Sequence, residues 1–202
     1  MRIRTHANPF HFIHKLEPRE WDRVFPTFSG DLQVEVGFGL GTFIQTYAEA
    51  HPEACFVAMD IREQVVTNVQ KRLTEADICN VHLIYSTAER VFADLIPEAS
   101  VSKVFVFHPD PWFKKRHHKR RVINPGFLDL ISPKLKPNAR LYVSTDVEPL
   151  WEAMAETLNH HPDFAPVQEP EFWESYYKTN WQHYSTLGGR TGHSGVFEKQ
   201  SK

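Results

Sequence analysis

Short apolar segments alternate with longer amphipathic segments along most of this chain. The short segments are rich in β-branched and aromatic residues, as buried strands are, and the longer ones carry apolar residues at helical spacing. Because parallel strands are joined by crossovers and covered on both faces, this alternation predicts a mostly parallel sheet between layers of helices. The predicted strands are Leu32–Val36, Cys55–Met59, Val81–Tyr85, Lys103–Phe107 and Arg140–Ser144, and the last three are apolar enough to be central.

The amphipathic segments predict helices with recognisable ends. Thr42 is expected to cap the first of them. Asn124 and Pro125 combine a capping side chain with a proline in the first turn, which favours a helix through Ile131 or as far as Leu135. The predicted ranges are 42–50, 63–76, 124–131 and 148–159.

The two ends of the chain depart from this alternation. Residues 1–30 are predicted to form an arm that packs on the domain or is ordered by a partner. Residues 31–202 are predicted to form one domain, because 202 residues suffice for one substantial core. The tail from 172 to 200 is aromatic and then glycine-rich, which predicts a late pair of strands with a mobile loop. We therefore expect a Rossmann-like, doubly wound α/β fold with a mostly parallel sheet and a late antiparallel strand.

Composition narrows the possible partners and compartments. The formal net charge is −2, so the molecule as a whole does not attract nucleic acid. Cys55 and Cys79 lack the spacing of a metal or redox site and are expected to be structural thiols, so no metal is predicted. No segment has the length of a membrane span, and the N-terminus has no signal-peptide core. These features favour a reducing cytoplasm.

A glycine-rich turn follows the first predicted strand. Gly37, Gly39 and Gly41 let the backbone turn sharply and approach a ligand without a Cβ atom in the way. Gly41 falls two positions after Gly39, whereas a nicotinamide-binding turn has its third glycine three positions after the second. Glu35 precedes the turn, and its carboxylate would repel a pyrophosphate and attract a cation. The turn therefore suits S-adenosylmethionine, which carries a positive amino group and a sulfonium, better than a dinucleotide.

Asp60 supports this interpretation of the glycine turn. It stands at the tip of the second predicted strand, where an acid can accept hydrogen bonds from both hydroxyls of a ribose. The alternative is an ordinary strand–helix turn with Asp60 on the surface.

The most informative stretch follows the fourth predicted strand. Asp110 lies between Pro109 and Pro111, which restrict the backbone on both sides, and Trp112 offers a flat face for a base or for packing. Six fixed positive charges then occur in eight residues, Lys114-Lys115-Arg116-His117-His118-Lys119-Arg120-Arg121. Such a run repels itself and favours an anionic partner such as RNA. The alternatives are a tight turn with a surface acid and a core tryptophan, and a solvated charged face.

Two acids are expected at the same edge of the sheet. Ligands of a doubly wound sheet bind outside the carboxyl ends of the strands, so Asp110 should face the glycine turn. Asp146 follows the fifth predicted strand at that edge. Its side chain either contributes to binding or caps the helix that begins near Glu148.

These segments together resemble the tRNA (guanine-N7)-methyltransferase family, of the single-subunit bacterial TrmB type. The resemblance runs from about Leu32 to Leu150 and is carried by E-V-G-F-G-L-G, P-D-P-W-F-K-K-R-H-H-K-R-R and S-T-D-V-E-P, with a weaker match at 179–182. It implies a class I S-adenosylmethionine-dependent methyltransferase fold. It also implies the formation of N7-methylguanosine in the variable loop of tRNA.

The resemblance implies a role for each matching residue. Asp110 is expected to lie where cofactor and guanine meet and to be the catalytic residue. The residues implied in cofactor binding are Glu35, Gly37, Gly39, Gly41, Asp60, Thr87 and Asp110. Those implied in substrate binding are Lys114, Asp146, Thr179 and Gln182, and those implied in tRNA binding are Arg116, His117, His118, Lys119, Arg120 and Arg121.

Two positions depart from the family's pattern. Thr87 stands where the family usually has an acid that receives the adenine amino group, and its hydroxyl can accept one hydrogen bond. Gln182 replaces a glutamate that can accept two neighbouring donors of guanine together. These departures leave open a catalytically weakened or inactive tRNA-binding relative, or a methyltransferase that acts on a different RNA base.

Overall fold

One mixed sheet organises the residues that the computed structural model describes, which are 12–179, 181 and 188–200. Its strands are β1 (Leu32–Val36), β2 (Phe56–Asp60), β3 (Val81–Tyr85), β4 (Val101–Phe107), β5 (Leu135–Thr145), β6 (Phe164–Val167) and β7 (His193–Lys199). Their order is β3-β2-β1-β4-β5-β7-β6. β7 pairs antiparallel with both β5 and β6, and the other pairings are parallel. The predicted fold class, with its late antiparallel strand, is confirmed.

The helices connect the strands and cover both faces of the sheet. They are α1 (Trp21–Val24), α2 (Thr42–Ala50), α3 (Glu63–Glu75), α4 (Ala88–Asp94), α5 (Pro125–Ile131), α6 (Glu148–His160) and α7 (Pro170–Ser175). Two 3-10 turns span Lys115–Arg120 and Ser132–Lys134.

Alternate residues of the central strands point into two apolar clusters. In β4, Val104 belongs to one cluster and Phe105 to the other. The first cluster is covered by α4, α5 and α6, and the second by α2, α3 and α7. Because both faces are buried, the central strands are nearly continuous in apolar residues, which is why the sequence pattern identifies them.

Part of the N-terminal segment packs on this core. Trp21 and Phe25 are buried in the same cluster as Val104. Nε1 of Trp21 donates a hydrogen bond to the carbonyl of Leu95 at 3.0 Å. Residues 1–11 lie outside the described residues, and the arm boundary at residue 30 stays a prediction.

The structure corrects two predictions near the start of the sheet. Thr42 is the first residue of α2 and does not cap it, because Gly41 occupies the cap position with a left-handed backbone. β3 is an edge strand of the described sheet, although it was predicted to be central. Its apolar residues are nevertheless buried, because Val81 and Leu83 belong to the second cluster and Ile84 to the first. The N-terminal segment adds ring contacts of Trp21 with His82 and of Phe12 with Tyr85.

Two further predictions fail in the second half of the chain. The helix that begins after Asn124 ends at Ile131, which confirms the shorter of its two predicted bounds. β5, however, begins at Leu135, five residues before the predicted Arg140. Pro137 and Asn138, two residue types that are uncommon in strands, hid this extension of the strand. The late strand pair does not lie wholly within 172–200, because β7 pairs with β6, which precedes residue 172.

Gly41→Ala tests how tightly the glycine turn packs against α3. A Cβ atom at this position would lie 2.6 Å from Cγ1 of Val69, and the residue has a φ of +73°. We expect the free energy of unfolding to fall by about 2–4 kcal/mol, because the left-handed backbone and the overlap both add strain. Gly192→Ala is the control, since a Cβ atom there meets nothing within 4 Å. Urea unfolding measures both, and equal losses would contradict tight packing at Gly41.

Candidate functional site

The carboxyl ends of four strands bring the predicted site residues to one edge of the sheet. The glycine turn follows β1, Asp60 ends β2, Asp110 follows β4 and Asp146 follows β5. β1 lies between β2 and β4, so the first three of these segments are neighbours. This is the edge at which doubly wound sheets bind ligands.

The glycine turn is held against the end of β2. Gly37, Gly39 and Gly41 have φ values of +74°, +55° and +73°, a region that favours glycine. The amide of Gly37 donates to the carbonyl of Met59 at 2.8 Å, and the amide of Gly39 donates to Oδ2 of Asp60 at 3.1 Å. A Cβ atom at Gly37 would meet nothing within 4 Å, so there is open space beside the turn for a ligand.

Glu35 is a buried carboxyl on an apolar face of the sheet. Its register partners in β2 and β4 are Ala58 and Phe105, and the residue is 3% exposed. Its Oε2 atom is buried and has no hydrogen-bond partner among the described residues. Burial, and then the nearby charge of Asp60, raise the pKa of Glu35 from 4.5 to about 8. A cationic hydrogen-bond donor brought next to this carboxyl would stabilise it.

Arg62 balances the charge of Asp60. Nη2 and Nε of Arg62 donate to the two carboxylate oxygens of Asp60 at 2.7 and 2.8 Å. The pKa of Arg62 is raised, first by these hydrogen bonds and then by the charges of Asp60 and Asp110, against the lowering effect of burial. Arg62 therefore lies in the field of both predicted acids. Sequence analysis missed it, and its position two residues after Asp60 was the one signal for it.

Thr87 caps a helix that sequence analysis missed. Its Oγ1 accepts a hydrogen bond from the amide of Arg90 at 3.4 Å, at the N-terminus of α4, and the residue is buried. α4 has seven residues, too few for a helical period to stand out. The threonine directly before Ala88 and Glu89 was the available signal. The helix uses one of the two acceptor positions of this hydroxyl.

A buried hydrogen-bond network lies behind the proline-flanked acid. Nε2 of His108 lies 2.7 Å from the hydroxyl of Tyr177, which lies 2.7 Å from Oγ of Ser144. Thr179 also hydrogen-bonds to the Tyr177 side chain. Burial lowers the pKa of His108 to about 4, although Asp146, 3.6 Å from its Nδ1, acts in the opposite direction. His108 is therefore a neutral hydrogen-bonding group at neutral pH, and it joins β4, β5 and the segment after α7.

Asp146 belongs to the same network and does not cap α6. Val147 occupies the cap position of that helix, so the capping alternative is wrong. Oδ1 of Asp146 accepts from Nε1 of Trp181 at 2.9 Å, and Oδ2 accepts from Nη1 of Arg190 at 2.7 Å. The Asp146 side chain is 2% exposed, whereas that of Arg190 is 51% exposed. Arg190 lies in the glycine-rich tail and is a candidate site residue that sequence analysis missed.

Trp112 anchors the loop that follows β4. The guanidinium of Arg120 lies 4.9 Å from the centre of a Trp112 ring. Nε of Arg121 donates to the carbonyl of Pro111 at 2.9 Å. Trp112 is half-buried beneath these contacts, so the alternative of a core tryptophan is wrong.

The basic run divides into two groups. His117 packs edge-on against Trp112, and Nε2 of His118 lies 3.2 Å from the guanidinium of Arg121. We call the half-buried residues the inner group: His117, His118, Arg120 and Arg121. The exposed residues form the outer group: Lys114, Lys115, Arg116 and Lys119.

Three predicted site residues remain, which are Asp110, Thr179 and Gln182. Asp110 is exposed, and its charge acts on Arg62, which puts it on the side of the glycine turn. Thr179 is half-buried beside Tyr177. Gln182 lies outside the described residues.

Two other features are absent from the part of the chain that the structure describes. Within it, no group of three or more His, Cys, Asp or Glu side chains could hold a metal ion. None of its helices is long and apolar enough to cross a membrane. Cys55 is buried, Cys79 is exposed, and both are free thiols.

Comparisons with known proteins point to methyltransferases. Residues 29–195 match the model of a family described as "Putative methyltransferase". The tRNA (guanine-N(7)-)-methyltransferase of Magnetococcus marinus is 36% identical over 163 residues, which cover 78% of this chain and 64% of the relative. The protein of the same name from Synechococcus sp. (strain JA-2-3B'a(2-13)) is 30% identical over 172 residues, which cover 84% of this chain and 72% of the relative. The chain thus spans a little under two thirds of the first relative's length and a little over two thirds of the second's.

Solved structures show the same architecture. The 16S rRNA methyltransferase KamB superposes with a TM-score of 0.65 at 17% identity, covering 94% of this chain and 98% of that one. At this identity the likeness concerns the fold alone, and it confirms the expected class I methyltransferase fold.

Glu35→Gln should change how stability depends on pH. In the unfolded chain Glu35 loses its proton near pH 4.5, whereas in the folded protein it keeps the proton up to about pH 8. Unfolding between these values therefore releases a proton. Hence the free energy of unfolding of the wild type falls as the pH rises through this range. Glu35 contributes up to about 1.4 kcal/mol of this loss per pH unit. Above the range Glu35 is ionised in both states and adds no further pH dependence.

The glutamine variant lacks this contribution, so its free energy of unfolding should vary less with pH. Urea unfolding without ligand, repeated across the range, measures the slope. Glu98→Gln, at an exposed position, is the control and should behave as the wild type. Identical slopes for all three proteins would show that Glu35 titrates normally.

Tyr177→Phe should destabilise the buried network. Removing the hydroxyl leaves His108 and Ser144 without a shared partner, and we expect a loss of about 1–3 kcal/mol in the free energy of unfolding. The control is Tyr176→Phe, whose ring packs against Tyr47 and His51. Thermal and urea unfolding compare the two variants. A stability of Tyr177→Phe equal to that of the control would mean that the network adds nothing to stability.

Proposed function

The chain belongs to the tRNA (guanine-N7)-methyltransferase family, and from this premise we propose that it transfers a methyl group from S-adenosylmethionine to N7 of a guanine in tRNA. The names of the relatives support the reaction and the substrate class. We also propose that the guanine lies in the variable loop of tRNA, and this assignment rests on the resemblance of the glycine turn and the basic run to those of the family. The proposed place of action is the cytoplasm, where such a substrate is met.

The observation that carries the proposal is the buried Glu35 carboxyl beside the glycine turn. Its Oε2 has no hydrogen-bond partner among the described residues, in a place where open space lies next to Gly37. S-adenosylmethionine offers an ammonium group and a sulfonium, and an unpartnered buried carboxyl favours a ligand that brings positive charge and donors. The residues present therefore fit this cofactor.

We assign the cofactor to the ends of β1, β2 and β4 and the start of α4. When bound, S-adenosylmethionine supplies an electrophilic methyl group on its sulfonium. In this structure the Asp60 carboxylate accepts four hydrogen bonds, from the amides of Gly39 and Arg62 and from Nε and Nη2 of Arg62. Asp60 would therefore accept hydrogen bonds from the ribose only when the Arg62 side chain releases it. The full proposed set is Glu35, Gly37, Gly39, Gly41, Asp60, Thr87 and Asp110.

The acceptor atom requires no general base. N7 of guanine has an in-plane lone pair and carries no proton, so the protein's main task is to align the base. Alignment can lower a barrier by on the order of 7–11 kcal/mol. Asp110 is exposed at this edge, and its carboxylate would orient the purine and stabilise the positive charge that it gains.

The proposed substrate residues act in two ways. Lys114, Thr179 and Gln182 are proposed to contact the substrate directly. Asp146 is buried between Trp181 and Arg190, so we propose that it positions these two side chains. The outer group would bind tRNA phosphates, and the inner group, with Arg120 and Arg121, would support that binding by holding the loop.

Nucleoside analysis tests the proposal directly. Unmodified tRNA is incubated with the protein and S-adenosylmethionine, and its nucleosides are identified by mass spectrometry. We expect N7-methylguanosine from the wild type and a rate lower by about 100-fold or more for Asp110→Asn, because an aligned charge of this kind contributes on that order. Asp129→Asn, at an exposed acid of α5, is the matched control and should keep full activity.

Each other outcome would change a specific part of the proposal. Methylation of another base or atom would remove guanine N7 as the acceptor. Cofactor and tRNA binding without any product would support the alternative of an inactive tRNA-binding relative. Full activity of Asp110→Asn would remove Asp110 from its catalytic role.

A further inference from the structure

Phe113 is a large apolar side chain in the most basic part of the surface. It is 73% exposed, between the half-buried Trp112 and the exposed cations Lys114, Lys115 and Arg116. Exposed aromatic side chains at protein surfaces mark binding sites more often than aliphatic ones, because a ring buries a large area at a small cost in side-chain entropy. Nothing in the reaction proposed above uses this ring.

The backbone around Phe113 is fixed by contacts on either side. Trp112 has a φ of +45° and carries Arg120 against its ring at 4.9 Å. The carbonyl of Pro111 accepts a hydrogen bond from Arg121 at 2.9 Å. After Phe113, Lys114 leads into the 3-10 turn, and the amide of His117 donates to the Lys114 carbonyl at 2.7 Å. The loop therefore presents the ring without first having to be ordered by a partner, which reduces the entropy lost on binding.

The composition of this surface decides between partners. Three exposed cations in sequence attract phosphates, and a single planar ring beside them matches the face of a nucleobase. A single-stranded segment of nucleic acid offers both groups at once, since each base is flanked by phosphates. A protein partner of acidic character would satisfy the cations but would give no special role to an aromatic ring.

We propose that Phe113 is a base-stacking position for tRNA, in which an unpaired base of the substrate lies on the Phe113 ring while its neighbouring phosphates contact Lys114, Lys115 and Arg116. This inference rests on the proposed function, because it takes tRNA as the ligand. It adds an apolar contact to a site otherwise described by charges and hydrogen bonds. Stacking tolerates any base, so the contact strengthens binding and fixes the path of the strand without selecting its sequence.

The two kinds of contact respond differently to salt. Each phosphate contact contributes to the slope of log affinity against log salt concentration, whereas stacking of a neutral ring does not. Loss of the ring should therefore weaken binding equally at every salt concentration. Loss of a neighbouring lysine should weaken binding and reduce the slope by about one.

The experiment measures the affinity of full-length variants for unmodified tRNA by fluorescence anisotropy at several salt concentrations. We expect Phe113→Ala to bind about 5-fold to 100-fold more weakly with an unchanged slope. Phe113→Trp should bind as well as the wild type or better, because it keeps a stacking face. Phe113→Leu should bind nearly as weakly as the alanine variant, because it is apolar but cannot stack. Lys115→Ala should reduce the slope.

Three controls separate stacking from other effects. Ile13→Ala removes a side chain that is 74% exposed and should leave tRNA affinity unchanged. Heparin, a polyanion without bases, should bind equally well to the wild type and to Phe113→Ala. The affinity for S-adenosylmethionine, measured by calorimetry, should be the same in all the Phe113 variants, and their thermal unfolding should match the wild type.

Several results would overturn the inference. If Phe113→Ala binds tRNA as tightly as the wild type, the ring makes no contact with tRNA. If Phe113→Leu binds as tightly as the wild type, the side chain makes an apolar contact that does not involve stacking. If Phe113→Ala loses as much affinity for heparin as for tRNA, the ring only positions the neighbouring cations and does not stack on a base. Failure of the proposed function is recognised separately: if the wild type makes no N7-methylguanosine but Phe113→Ala still loses tRNA affinity, the stacking position stands and the proposed reaction does not.

Discussion

The burial of the Glu35 carboxyl on an apolar sheet face is the constraint on which the organisation of this site depends. Ala58 and Phe105, its register partners, are fully buried and offer it no hydrogen bond. A charged carboxylate there would be costly, which is why the pKa is raised and the group is held protonated until a positive partner arrives. The sheet supplies the rigidity that keeps the acid in place, because β1 is paired on both sides. A surface glutamate would reorient towards water and would distinguish ligands poorly.

The same edge of the sheet carries opposite charges for two ligands. Asp60 and Asp110, with the protonated Glu35 that ionises beside a positive partner, form a side that suits a cationic cofactor. The loop after β4 presents a dense positive charge to the solvent. Arg62 lies in the fields of Asp60 and Asp110. It limits the repulsion that the acids would exert on an approaching polyanion, and it keeps the paired Asp60 compatible with its near-complete burial. The net charge of −2 therefore describes neither region, since what each ligand meets is local.

The sequence predicted those features that depend on local pattern and on short motifs. The central strands followed from continuous apolar runs, and the edge that collects Glu35, Asp60, Asp110 and Asp146 followed from the way parallel strands end. What failed depended on contacts across the fold. The centrality predicted for β3 failed because an edge strand can also bury its apolar residues, as Val81, Leu83 and Ile84 do in the two clusters. Asp146 was ambiguous between a cap and a binding acid because its partners, Trp181 and Arg190, lie more than thirty residues away. His108 and Tyr177 carried no motif of their own, and only the packing of three elements brings them together.

The length of the basic run has a structural cause as well as an electrostatic one. A loop of like charges would open under its own repulsion unless some of its members were used to hold it closed. Arg120 and Arg121 serve that purpose by binding Trp112 and the Pro111 carbonyl, and the two histidines pack beside them. Both contacts end on the segment that also carries Asp110, so the same interactions that present the outer cations fix the backbone next to the acid. His108, on the other side of Pro109, is fixed in turn by Tyr177. The acid is thus held from both directions, and a polyanion drawn to the outer cations arrives at a segment whose geometry is already set.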